Sequence, residues 1–119
     1  MSLHAYQKTQ RSTEQPRDTE YRLFAQVTQA LIEANAHGRS NVTALVDALD
    51  WNRRLWSALA SDCASDGNKL PDVLRAQIIS LSLWVSRFSS EAASGGASLE
   101  PLIDVNKSIM AGLSQRPAA

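Results

Sequence analysis

The sequence predicts an all-α fold, a small bundle of about four helices behind a flexible N-terminal arm. Three observations predict it. Apolar residues recur at spacings of three and four through most of the chain, and no stretch alternates with the period of two that a half-buried strand requires. Glycine and proline are sparse, at 5 and 4 residues in 119, while alanine and leucine are abundant, a balance that favours helices. Each helical pattern is bounded by recognisable stop or start chemistry.

Residues 1–15 mix Gln, Thr, Ser and Lys with little apolar content beyond Leu3, Ala5 and Tyr6, and are expected to form the arm. Pro16 at a first helical position, with Asp18 and Glu20 in the first turn, suits the positive end of a helix dipole. The first helix is expected to run to about Ala36, with an apolar stripe of Phe24, Val27, Leu31 and Ile32 and a left-handed stop at Gly38. Ser40 or Asn41 then caps a second helix. Its stripe is Val42, Leu45, Val46, Leu49, Trp56 and Leu59, with Asn52 inside it. Trp51 and Leu55 lie on the opposite side, so this helix carries apolar surface on two faces.

Residues 61–69 contain Asp66, Gly67 and Asn68, a strong turn signal, before Leu70-Pro71 opens the third helix. That helix is apolar around most of its circumference. Leu74, Ile78, Leu81, Val85 and Phe88 form one stripe with Trp84 at its edge, and Val73, Ile79 and Leu83 form a second. It is expected either to be central or to reserve a face for a partner. Ser94-Gly95-Gly96 breaks it, Ser98 is a fair N-cap, and a last helix carries Leu99, Leu102, Ile103, Ile109 and Met110 on one face with Asn106 among them. The domain is expected to span 16–113, with a disordered tail at 114–119. All three tryptophans sit in the hairpin formed by segments 51–59 and 70–88, and Trp is costly to place anywhere but a core or an interface.

Composition narrows the function. Twelve basic and twelve acidic residues give a formal net charge of zero, which removes the positive field that nucleic-acid or membrane-surface binding draws on. Partners should be recognised by shape and apolar contact. Cys63 is the one cysteine, and with no signal-peptide h-region or apolar run of spanning length the reading is a reducing cytoplasm, with no membrane insertion. Catalytic signals are weak. His4 and His37 have no companion at metal-ligand spacing and read as solvated surface histidines. Cys63 lacks a helix N-terminus or a close base and reads as structural. The serines at 80, 82, 86, 89 and 90 have no nucleophile-elbow setting and read as small residues that let helices approach. No glycine-rich phosphate loop occurs. The chain is therefore expected not to be an enzyme and to hold no cofactor and no metal.

Asn52 and Asn106 sit on apolar stripes, and a buried amide without partners costs about 1–3 kcal/mol. The favoured reading is that they bond to each other or to a backbone carbonyl and fix register; the alternative is that one of them binds the backbone of a docked peptide. Arg53 and Arg54 beside Trp51 and Trp56, with Arg75 and Arg87 on the third helix, could form a nucleic-acid patch with aromatic stacking. The favoured reading is that they cap apolar edges and pair with Asp47, Asp50, Asp62 or Asp72.

The segments N-R-R-L-W (52–56), L-P-x-x-L-R-A-x-I-I-S-L-x-x-W-V (70–85) and L-I-D-V-N-x-x-I-M-x-G-L (102–113), with A-Y-Q at 5–7, resemble the FlaF family of flagellar biosynthesis regulators over nearly the whole chain. The Gly95-Gly96 loop and the short polar tail are the less typical features. The resemblance implies a cytoplasmic, non-enzymatic protein that binds flagellin as a secretion chaperone would, regulates flagellin synthesis and flagellum assembly, and acts with or against FlbT, a regulator of flagellin messenger translation. It would cover the amphipathic terminal helices of unpolymerised flagellin. Helical angle then assigns Leu55, Ile79 and Leu83 to a partner groove, with Trp51 as an aromatic anchor and Arg53 and Arg75 as polar ones. Trp56, Leu81, Trp84 and Val85 are assigned to the core. Two other readings are a post-transcriptional regulator touching the flagellin messenger RNA through Arg53 and Arg54, and a purely structural partner of FlbT. Periodicity allows either a monomer or a dimer.

Overall fold

A computed structural model describes residues 16–114, with side-chain surroundings for 19–112. Those residues form four α-helices, α1 (Pro16–His37), α2 (Val42–Ala64), α3 (Asp72–Gly95) and α4 (Glu100–Ser114), with a 3-10 turn at Gly38–Asn41 between the first two. No strand occurs among the described residues, so the predicted helical bundle is the fold. The expected arm at 1–15 and most of the expected tail lie outside the described residues.

The helix ends follow from local chemistry. Gly38 takes φ +56°, a left-handed conformation that an L side chain adopts only with strain, and α1 stops there. Of the two residues expected to cap α2, Asn41 does so: its Oδ1 accepts from the Ala44 N–H at 3.1 Å. The Ser40 hydroxyl instead donates to the His37 carbonyl at 2.6 Å. Gly96, at φ +74°, closes α3, and a Cβ there would sit 2.9 Å from the Arg39 guanidinium, so the two glycine turns lie side by side at one end of the bundle. The start of α4 is held partly by α1, because Asn35 Oδ1 accepts from the Leu99 N–H at 3.0 Å. Ser98 Oγ also accepts from the Glu100 N–H at 3.2 Å.

The helix α2 is longer at its C-terminus than the turn signal predicts, reaching Ala64. Cys63 explains this. It is fully buried and continues the spacing 45, 49, 52, 56, 59, 63, so the last turn is held by the core and only residues 65–71 remain as connection.

Packing is closest between α2 and α3, then α1 and α4, with α1 against α2 joining the two pairs. The core contains Phe24, Leu31, Leu45, Leu49, Trp56, Ile78, Val85, Leu99 and Leu102. Trp56 is fully buried and meets Phe24 edge to face, with ring centroids 5.7 Å apart and planes at 85°. Burial of one indole removes roughly 200 Å² from water, or about 5 kcal/mol as an upper figure. The two apolar faces of α2 follow from its place between α1 and α3.

Four residues expected on core stripes are exposed instead: Ile32, Val42, Val46 and Leu74. Adjacent helical residues point about 100° apart, so when Leu31 and Leu45 are aimed at the centre, Ile32 and Val46 are turned off it. Val42 and Leu74 fall in the first turns of their helices, where less neighbouring structure covers them.

Candidate functional site

Three arrangements bring the residues singled out in the sequence together. The first is a chain of side-chain hydrogen bonds between α2 and α4. Trp56 Nε1–H donates to Asn106 Oδ1 at 2.9 Å, and Asn106 Nδ2 donates to Asn52 Oδ1 at 2.8 Å. Both amides are fully buried. An indole N–H can only donate, which forces Asn106 to face it with its oxygen and so forces Asn52 to face Asn106 with its own. The remaining polar atom, Asn52 Nδ2, has no hydrogen-bond partner. That orphan is a consequence of the fixed direction, since flipping Asn52 would oppose two donors.

The second arrangement is the turn between α2 and α3. Arg75, in the first turn of α3, donates from Nε to the Cys63 carbonyl at 2.6 Å and from Nη2 to the Ser65 carbonyl at 3.2 Å. Its Nη1 lies 3.3 Å from Asp72 Oδ1. These bonds tie α3 to carbonyls at the end of α2, the Ser65 carbonyl also accepting the Asn68 N–H at 3.2 Å. Arg75, expected as a polar anchor for a partner, is thus bound within the chain. The turn itself is closed by Asn68, which takes the Leu70 N–H on Oδ1 and donates to Asp62. The Cys63 thiol lies beneath Arg75, and its pKa is raised above the ordinary 9.0, first by burial and then by Asp62, with Glu20 adding to the rise and Arg75 opposing it. It is held as the thiol at neutral pH.

The third arrangement is the outer face of α3. Val73 and Leu83 are 72% and 62% exposed, and a shallow groove along the same helix is lined by Val73, Ala76, Gln77, Ser80 and Leu81. Trp84 and Phe88 stack at the edge of this helix with centroids 5.2 Å apart. They and Leu81 are half-buried. Of the residues assigned to a groove, Leu83 stands in the open, whereas Leu55 and Ile79 are half-buried and packed against the core. Trp51 is exposed on α2.

Arg53 and Arg54 both lean on one carboxylate. Arg53 Nη2 lies 3.4 Å from Asp50 Oδ1 and Arg54 Nε 3.0 Å from Asp50 Oδ2. Within the serine series, Ser89 is buried and donates to the Val85 carbonyl one turn back at 2.6 Å. Ser82 reaches across to the Trp56 carbonyl at 3.3 Å. Ser82 thus lies where α3 approaches α2, whereas Ser80, Ser86 and Ser90, expected in the same role, are exposed. Among the described residues no group of three or more His, Cys, Asp or Glu could hold a metal, and no helix is long and apolar enough to cross a membrane.

Two connections went unread in the sequence. Asn35 carries no local signal for its bond to Leu99, which depends on tertiary placement. Cys63 was legible as core only by extending the α2 stripe past the turn signal.

These features define a small all-α domain whose register is set by a buried amide chain and whose third helix keeps apolar side chains uncovered. The family model for flagellar protein FlaF matches residues 2–113. The chain belongs to that family, a flagellar one. No curated protein and no solved structure matches it.

Proposed function

We propose that this protein is a cytoplasmic, flagellin-binding secretion chaperone and regulator of flagellin synthesis, and that the outer face of α3 receives an amphipathic helical segment of unpolymerised flagellin. The observation that carries the reading is the exposure of Val73 and Leu83, 72% and 62%, on the helix whose shallow groove is lined by Val73, Ala76, Gln77, Ser80 and Leu81. Those two residues lie ten positions apart, about 15 Å along the helix axis, a span that matches three turns of a docked helix. Helix-in-groove recognition presents apolar anchors at i, i+3, i+4 and i+7 to such a face. Membership of a flagellar family is consistent with a flagellar client. Covering a segment that would otherwise pack into the filament core holds back premature polymerisation.

On this reading Leu83 remains an anchor and Val73 joins it, whereas Ile79 and Leu55, half-buried and packed against the core, do not serve as anchors. Arg53 and Arg54 share Asp50, which lowers their value as phosphate ligands, so the messenger-binding alternative has less to stand on.

Calorimetric titration of monomeric flagellin into the full-length protein tests the reading. A one-to-one complex with a negative heat-capacity change, little altered by salt and lost in Val73→Glu/Leu83→Glu, is the expected result. Binding that is indifferent to that double variant overturns the site. Binding only to flagellin messenger RNA, weakening steeply with salt, overturns the function.

A further inference from the structure

We propose that the free protein pairs with a second copy of itself through the outer face of α3, the two α3 helices running antiparallel about a twofold axis at Ser80. The contact uses the face proposed for the client, and it stands or falls whatever the client is.

Three observations carry it. First, α3 packs chiefly against α2, and its far side is open. Asp72, Val73, Ala76, Ser80, Leu83, Arg87 and Glu91 are all exposed. With successive residues turned by about 100° they fall within a single arc of about 100°, opposite the buried Ile78, Val85, Ser89 and Ala92.

Second, the charges on this arc complement its own reverse. Asp72 lies at the N-terminal end, preceded by the exposed Lys69, while Arg87 and Glu91 lie toward the C-terminal end. A twofold axis at Ser80 brings together residues equally distant from it in the two copies. Lys69 then meets the second copy's Glu91, and Asp72 falls within one residue of the second copy's Arg87. By symmetry each ion pair occurs twice. Parallel helices would instead oppose Asp72 to Asp72 and Arg87 to Arg87. Within the chain, neither Arg87 nor Glu91 has an ion-pair partner among the described residues. Asp72 keeps a 96% exposed side chain beside Arg75.

Third, the sizes fit. Between the charged ends the same axis sets Ala76 beside the second copy's Leu83, small against large, and Ser80 against Ser80 at the crossing. Small residues there allow the close approach that packed helices make. Val73 is covered by the aliphatic stem of the second copy's Arg87. From Asp72 to Glu91 the overlap is about 28 Å long. One helix from each copy buries less than roughly 1,200 Å² in total, the range of weak and transient contacts. Such a pair shelters the apolar face between clients, and a client that binds only the free face dissociates it by mass action.

Sedimentation equilibrium of the full-length chain at rising concentration tests the pairing. A reversible monomer–dimer equilibrium is expected, with a dissociation constant between about 1 μM and about 1 mM. Asp72→Arg alone and Arg87→Glu alone each turn two attractions into repulsions, and each should weaken the dimer about tenfold. The double variant Asp72→Arg/Arg87→Glu should restore it to within about threefold. An equimolar mixture of the two single variants should pair as well as the unsubstituted chain does, because both contacts are then attractive. Should Asp72→Arg lose helical circular dichroism, Lys69→Glu and Glu91→Lys are read in the same way. A monomer at every concentration up to about 1 mM overturns the proposal, and so does a dimer indifferent to the single variants. A dimer lost in the single variants and regained in neither the double variant nor the mixture overturns the antiparallel register. The client reading fails separately. A chain that stays monomeric yet binds flagellin overturns the pairing alone, and a dimer that follows the charge exchanges yet binds no flagellin overturns the client alone.

Discussion

The seam between α2 and α4 and the outer face of α3 are written in the same helical grammar and come to opposite ends. At the seam, a stripe of apolar residues is interrupted by two amides, and those amides lock to each other and to Trp56. On α3, the apolar residues Val73 and Leu83 are interrupted by small or flexible polar side chains such as Ser80 and Gln77, and nothing locks. Hydrogen bonds have direction and partners; apolar contact has neither. The seam therefore specifies one register, whereas the face tolerates whatever apolar surface arrives.

The sharpest way to break this contrast is at its centre. Trp56→Ala should cost about 3–5 kcal/mol in urea unfolding at unchanged slope, from the lost indole and the cavity beside Phe24. A cost below 1 kcal/mol would mean that the seam is not the core of the fold. Next come the amides, where asymmetry is expected. Asn106→Leu strands the Trp56 N–H and loses both bonds, for about 2–4 kcal/mol. Asn52→Leu loses one bond and exchanges the orphaned Asn52 donor for a stranded Asn106 Nδ2, so about 1–2 kcal/mol is expected. Equal costs for the two would show that Asn52 Nδ2 finds an acceptor in solution. Replacing Arg75 with Ala should cost about 1–2 kcal/mol by uncapping α2. On the other side of the comparison, Val73→Glu and Leu83→Glu should each change stability by under about 0.5 kcal/mol. They should weaken flagellin binding strongly all the same, and unfolding in either would place that residue in the core.

The smallest effect is a titration. Because folding raises the Cys63 pKa, the unfolded thiol ionises first as pH rises. The preference for the folded thiol is fully present at neutral pH and is lost as pH climbs from about 9 through the folded value. Alkylation of Cys63 at pH 7.5 should accordingly proceed only after denaturant is added.

Much of the bundle was legible because helices announce themselves in period and in caps. Asn41, Gly38 and Gly96 lie where their chemistry demands, and the stripe through Phe24, Leu31, Leu49 and Trp56 is the core. Legibility failed where a residue sits 100° from a core neighbour. Ile32 and Val46 belong to the stripe by count alone, and which edge of an apolar arc is covered depends on the crossing of the next helix. The exposed face of α3 was only partly legible for the same reason. Leu83 and Ile79 are equally apolar, yet one is open and the other packs on the core. The pairing of Arg75 with Asp72 was among the ion pairs expected from the sequence, whereas its bonds to backbone carbonyls were not. Those bonds depend on carbonyls at the end of another helix.

The hydrogen bonds through Trp56, Asn106 and Asn52 run one way only, and they owe that sense to the single group that cannot accept. Trp56→Phe would keep most of the shape and remove the arbiter. Both amides could then rotate together into the mirror arrangement, with Asn52 donating and Asn106 accepting. Two nearly equal cores would share one backbone. The indole nitrogen thus acts as a choice between alternatives as well as a bond, and its loss should appear first as doubled amide resonances around Asn106, before any fall in melting temperature.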